Sequence, residues 1–174
     1  MKYLVMGHSG SGKSTLAKKI SEIYNIPLMY LDCVHFESDW KARNDEEATA
    51  IVKDFINKND SWVIDGNYFK FELEERVNQA DVIIYLDFNR FTCLLRAYKR
   101  YFKYKGKDRE SISKGCYETM DREFISWILK DGRTKERLSK FDEILKTKNK
   151  RIYIIKNQRQ LDEFVNSLSD KSMM

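Results

Sequence analysis

Nine residues near the start of the chain, Gly7-His8-Ser9-Gly10-Ser11-Gly12-Lys13-Ser14-Thr15, constrain the fold more than any other segment. They complete the pattern G-x-x-x-x-G-K-[ST], whose glycines let successive backbone N–H groups turn inward around an anion. The pattern carries chemistry only between a strand and a helix, where the helix N-terminus adds its dipole to the anion site. That context is present: Lys2 to Met6 is a short strand-like run, and Lys13 to Tyr24 carries Leu16, Ile20 and Ile23 at helical spacing. Gly7, Ser9, Gly10, Ser11, Gly12, Lys13, Ser14 and Thr15 therefore read as a phosphate cradle. Lys13 is expected to reach the β- and γ-phosphates of ATP, and the Ser14 hydroxyl to ligate Mg2+.

The rest of the chain alternates strands and helices. Leu28 to Leu31 reads as a second strand ending at Asp32, Ser61 to Ile64 as a third, Val82 to Leu86 as a fourth and Arg151 to Ile155 as a fifth. Between them lie helices at 44–57, capped by Asn44 with Glu47 as capping-box partner, at 71–78 and at 90–103. Further helices read at about 118–130, 133–146 and 161–168. Strands separated by more than a hairpin's length pair in parallel through crossovers, so the pattern predicts a doubly wound α/β sheet with helices on both faces.

The 174 residues suit one domain, and 42% apolar with 13% aromatic residues disfavours a disordered chain. The longest apolar runs are of strand length, and the N-terminal apolar stretch is too short for a secretion signal, so a cytoplasmic protein with no membrane partner is expected. Cys33, Cys93 and Cys116 form no CxxC pair, and the two histidines, His8 and His35, lie far from Cys116, which argues against both a disulfide framework and a zinc site. The net charge of +5 conceals a division: residues 1–87 carry net −5, residues 88–156 net +11 and residues 157–174 net −1. The positive charge is local and implies an anionic partner for the second half.

A P-loop needs a carboxylate near its metal, at the end of an adjacent strand. Asp65 and Asp87 both qualify, and either could instead be a turn former; Asp65 is favoured because in sheets of this length the third strand usually neighbours the first. On the basic helix, Arg96 and Arg100 stand at i and i+4 on one face with Lys103 and Lys107, while Phe91, Leu94, Leu95, Tyr98 and Phe102 form the opposite stripe, expected to face the core. Arg133 and Arg137 repeat the i, i+4 spacing. Both pairs suit phosphoryl transfer, which is catalysed by positioning and by cancelling charge. Lys99, Lys105 and Arg109 read as surface charge.

Gly7 to Thr15, Asp65-Gly66-Asn67-Tyr68, the helix with Leu95-Arg96 and Arg100, and the final Ile154-Ile155-Lys156 strand resemble an adenylate-kinase-like small P-loop kinase. The group labelled "DNA topology modulation protein" is the nearest match, and the likeness runs over nearly the whole chain. It implies a three-layer α/β/α P-loop NTPase fold with strand order 2-3-1-4-5, ATP as phosphoryl donor, and a helical lid inserted at about 103–135 in a single domain spanning 1–174. It implies Asp65 as the carboxylate supporting Mg2+, and lid arginines, here Arg96 and Arg100, that cancel charge; by their spacing Arg133 and Arg137 could close from the other side. Adenine is expected against Arg96 and Asn157-Gln158. The chain departs from adenylate kinases after Asp65-Gly66, where Asn67-Tyr68-Phe69 replaces Phe-Pro-Arg, so the arginine that would hold a nucleoside monophosphate is absent. The acceptor region implied after the second strand contains Asp32, His35, Trp40 and Arg43, with Asn67 and Tyr68 nearby. For a hydroxyl acceptor Asp32 is the candidate base; a phosphate acceptor needs none. The expected function is thus an ATP- and Mg2+-dependent phosphotransferase acting on a small molecule. The alternative is a nucleic-acid-associated ATP-binding protein affecting DNA topology, suggested by the eight Lys/Arg from Arg90 to Arg109. Nothing in the sequence fixes an oligomeric state.

Overall fold

The computed structural model describes residues 1–171. β1 (Lys2–Gly7) leads through the glycine-rich loop into α1 (Lys13–Tyr24). Then follow β2 (Leu28–Tyr30), α2 (Leu31–His35), a 3-10 turn at Ser38–Trp40, α3 (Asp45–Lys58), β3 (Trp62–Asp65), α4 (Leu73–Gln79) and β4 (Val82–Leu86). The second half contains α5 (Arg90–Tyr104), α6 (Arg122–Leu129), a 3-10 turn at Asp131–Arg133, α7 (Lys135–Leu145), β5 (Arg151–Ile155) and α8 (Gln158–Lys171). Among the described residues no helix is long and apolar enough to cross a membrane.

All five strands pair in parallel in the order β2-β3-β1-β4-β5. The register sets Val5 beside Asp65 and Gly7 beside Leu86, so the glycine-rich loop leaves the sheet between the carboxyl ends of β3 and β4. In open α/β sheets ligands bind outside those ends. Alternation along the strands divides the core in two. Tyr3, Val5 and Ile84 pack with Leu16, Ala97, Ile128 and Phe164 on one face; Leu4, Met6 and Ile83 pack with Leu31, Val52, Phe71 and Phe141 on the other. Each of the larger aliphatic and phenylalanine side chains contributes roughly 1.5–3 kcal/mol on burial, and together they fix helices on both sides: the three-layer α/β/α P-loop architecture.

Three local readings are corrected. Asp32 does not end β2: the strand stops at Tyr30, and Asp32 lies in the first turn of α2. Asn44 caps α3 by accepting from the N–H groups of Glu46 and Glu47, but Glu47 does not return the capping-box bond; its carboxylate pairs with Arg43 at 2.5 Å. The orientation of α5 is reversed. Its buried residues are Cys93 and Ala97, whereas Phe91, Leu95, Tyr98 and Phe102 are 68, 57, 38 and 71% exposed; of the expected stripe, Leu94 packs against the core. An amphipathic pattern locates an apolar stripe but does not say what covers it. Here small residues set the approach: a methyl on Gly10 (φ 78°) would lie 2.3 Å from the Cys93 carbonyl oxygen, so the phosphate loop and α5 touch backbone to backbone.

Candidate active site

The phosphate loop is held from several sides. Asn67, just past β3, uses its side chain as a further rung of the sheet, accepting from the Gly7 N–H at 3.0 Å and donating to the Gly7 carbonyl at 2.7 Å. Lys13 Nζ donates to the His8 carbonyl at 3.1 Å, which holds the cation across the loop's mouth. At the start of α1 the Ser14 hydroxyl donates to Asp65 Oδ2 at 2.6 Å, while Asp65 Oδ1 is buried without a partner. Burial pushes the Asp65 carboxyl up to about 6, against the pull of Lys13 and of the Ser14 hydroxyl. An unpartnered buried carboxylate oxygen beside a hydroxyl is a donor set that fits a hard divalent cation such as Mg2+. Among the described residues no cluster of three His, Cys, Asp or Glu could hold a metal alone, so such an ion would need further ligands from a bound phosphate or water. The other carboxylate considered, Asp87, turns instead to His8, 3.4 Å from its Nε2, where the Tyr85 hydroxyl also lies at 3.1 Å. Burial lowers the His8 pKa and so favours the neutral imidazole. Thr15 is exposed on the outer side of α1.

Arg96 reaches from α5 across the same loop. Its guanidinium donates to the Ser11 carbonyl at 2.6 Å and to Gln158 at the start of α8, and its carbon lies 4.1 Å from the Phe88 ring centre. Asn157 caps α8, accepting from the Gln160 N–H at 3.0 Å. On the other flank Trp127 of α6 donates to the Ser9 hydroxyl at 3.1 Å, and Arg137 stacks on that indole at 4.5 Å. Arg133 donates to the carbonyls of Phe88 at 2.8 Å and Ile128 at 3.1 Å, bracing α6 against the end of β4. A small cavity lies beside the loop, lined by His8, Ser9, Asn67, Trp127, Arg133 and Arg137.

The acceptor candidates divide. The Tyr68 hydroxyl donates to Asp32 Oδ1 at 2.8 Å, and burial drives its pKa up, so it remains a donor. His35 is wedged between Phe36, Tyr68 and Phe71 with Nδ1 buried and unpartnered, and burial lowers its pKa. Arg43 is committed to the Val34 carbonyl at 2.9 Å and to Glu47. Trp40 is fastened by its backbone N–H to Cys116 Sγ at 3.3 Å and by its indole N–H to the Tyr117 carbonyl at 3.1 Å. These bonds belong to a larger seam in which residues 110–117 lie against the turn after α2. Ser113 donates to the Cys33 and Phe36 carbonyls, and the Cys116 thiol to the Glu37 carbonyl at 2.9 Å.

Sequence reading missed two members of this cleft. Arg109, taken for surface charge, is 13% exposed, and Glu118 is 5% exposed; Glu118 Oε1 lies 2.9 Å from Arg109 Nε and 2.8 Å from Arg100 Nε. These are charge contacts rather than aligned hydrogen bonds. Burial, and then the neighbouring Arg109 charge, lower the Arg100 pKa, with Glu118 and Asp32 opposing. Asp65 in turn feels Lys13, Asp32 and Arg109. Contacts and charge effects thus link Lys13, Asp65, Asp32, Tyr68, Arg100, Arg109 and Glu118 in one group beside the phosphate loop. No signal in the local sequence marks Arg109 or Glu118, because their meeting depends on how residues 105–121 fold back.

No protein-family profile matches the chain, and no curated protein matches it. Solved structures do. A shikimate kinase from Acinetobacter baumannii in complex with shikimate aligns with TM-score 0.58 at 15% identity, covering 99% of this chain and 92% of that one. An uncharacterized protein from Eubacterium ventriosum aligns with TM-score 0.56 at 19% identity over 99% and 98% of the two chains. A deoxyadenosine kinase from M. mycoides aligns with TM-score 0.53 at 14% identity over 98% and 100%. The chain has the three-layer P-loop fold in which those small-molecule and nucleoside kinases are built.

Proposed function

We propose that this protein is an ATP- and Mg2+-dependent phosphotransferase whose acceptor is a hydroxyl of a small polar molecule seated between Asp32, Tyr68 and Arg100. The observation that carries the reading is the Tyr68–Asp32 bond of 2.8 Å in the same cleft as the Ser14–Asp65 pair and Lys13. Tyr68 occupies Asp32 Oδ1 and leaves Oδ2 to take the proton of an incoming hydroxyl. A phosphate acceptor would need no such base, and the residues after Gly66 supply no arginine for one.

Bound Mg2+ would supply charge neutralisation at the β- and γ-phosphates, held through Ser14 and Asp65. The chain supplies the rest. Gly7 to Thr15 wraps the phosphates with backbone N–H groups; Lys13 binds the oxygens of the transferring group. Arg100 and Arg109, sharing the single countercharge of Glu118, retain positive charge for the phosphoryl group as it passes from the leaving β-phosphate oxygen to the attacking hydroxyl oxygen. Arg96 and Asn157-Gln158 frame the base of the nucleotide, and Arg133, Arg137 and Trp127 close the far side beside Ser9. His35, Trp40, Arg43 and Asn67 shape the acceptor pocket. Residues 103–135 act as the lid of a single domain, and the seam between residues 110–117 and the turn after α2 is its closed position. The free thiols Cys33, Cys93 and Cys116 suit a reducing, cytoplasmic setting.

The resemblance to the topology-modulation group would admit a nucleic-acid role, but two arginines of α5 are engaged inside the molecule, Arg96 on the phosphate loop and Arg100 against Glu118, which favours the kinase reading. Asp32→Asn tests it. The variant should still bind ATP and lose acceptor-stimulated turnover by about a hundredfold or more; wild-type turnover would remove Asp32 as base and with it the hydroxyl acceptor.

A further inference from the structure

The outward face of α5 takes no part in the cleft. Phe91, Leu95, Tyr98 and Phe102 recur at spacings of four, three and four residues, so they form one straight stripe over three turns, opposite the buried Cys93 and Ala97. Together they expose on the order of 400 Å² of apolar surface in one patch, the size of the largest patches on monomeric proteins, which often serve binding. The shoulders of the stripe are basic: Arg90, Lys99, Lys103 and Lys105 are all exposed. No Asp or Glu occurs from Phe88 to Lys107. Of the acidic residues flanking this stretch, Asp87, Asp108 and Glu110, the last is paired with Lys18.

We propose that this face of α5 docks on an anionic lipid surface, the stripe entering the headgroup boundary and the basic shoulders meeting lipid phosphates. The absence of a spanning helix does not bear on a helix that lies flat. Two occupants fit less well. A nucleic-acid backbone answers the charge but offers little apolar surface to Phe91, Leu95 and Phe102. A second copy answers the stripe but brings the same unrelieved positive charge against itself. An anionic bilayer answers both, since basic amphipathic helices with aromatic and leucine faces lie in the interface plane.

The test is co-sedimentation of the full chain with vesicles of phosphatidylcholine alone and of phosphatidylcholine with about one third phosphatidylglycerol. The expected result is binding at least about tenfold stronger to the anionic vesicles, weakening with salt. The double variant Phe91→Ser/Phe102→Ser should lose about tenfold or more of it, and Lys99→Glu/Lys105→Glu a similar factor, with ATP binding unchanged in both. The proposal is overturned by no binding to anionic vesicles, or by binding that ignores the phenylalanine changes. It is equally overturned if, without vesicle binding, those phenylalanines support a dimer or capture of a single-stranded oligonucleotide. None of these outcomes depends on the kinase reading.

Discussion

Replacing Asp65 by Asn should change how the stability of the ligand-free protein depends on pH, and the sign follows from burial. The carboxyl ionises near its ordinary value of 3.8 in the unfolded chain and near 6 in the fold. The folded state therefore keeps its proton to higher pH. The stabilisation from this group is whole below about pH 4 and is lost as pH rises through 6. A difference of about 2 pH units corresponds to about 3 kcal/mol. Urea unfolding measured from about pH 4 to 7 without divalent cations should show wild-type stability falling relative to Asp65→Asn by about that amount. Asparagine keeps an oxygen for the Ser14 hydroxyl, so the variant isolates the charge. Adding Mg2+ with ATP at neutral pH should stabilise wild type more than the variant, because the cation compensates the buried carboxylate that only wild type carries. A wild-type-minus-variant difference that stays flat, or rises with pH, would refute the reasoning; the latter would mean that Lys13 outweighs desolvation.

Other expectations are more local. Lys13→Ala should abolish turnover with the fold retained, since the half-buried Lys13 side chain bonds a loop carbonyl rather than core, though losing its pull on Asp65 should lower stability at neutral pH; unaltered turnover would place the chemistry elsewhere. Arg100→Ala should lower kcat about a hundredfold or more with a small change in ATP affinity, whereas Arg96→Ala, whose side chain spans Ser11 and Gln158, should chiefly weaken ATP binding; steady-state kinetics separates the two. Gly10→Ala should cost at least about 2 kcal/mol, because its methyl meets the Cys93 carbonyl and its backbone is left-handed. An unchanged melting temperature would contradict that contact.

What could be read from the sequence was local and periodic. The phosphate loop declares itself in nine residues, and apolar runs at strand and helix period locate β1, β3, β4, α1 and α3 within a few residues. The strand order came through resemblance, and the pairing of β1 with both β3 and β4 bears it out. What could not be read depends on long-range packing. Five residues of α2 are too few to show a helical period, so in the sequence Asp32 reads as a strand end. Arg109 and Glu118 are nine residues apart in an irregular segment and meet through the fold-back that also brings Ser113 and Cys116 to the turn after α2. For α5 the stripe was visible and its direction was not: small Cys93 and Ala97 make a closer seat beside Gly10 than four large side chains would, and the hydrophobic residues were left outside.

The central claim is transfer of a phosphoryl group to a hydroxyl. It is tested most directly by following phosphorus resonances of Mg2+ and ATP with the protein and a panel of small hydroxylated metabolites and nucleosides, with Lys13→Ala as blank. The account predicts a new phosphomonoester signal that grows in step with ADP for one class of acceptor. ADP with inorganic phosphate alone, whatever acceptor is present, would contradict it.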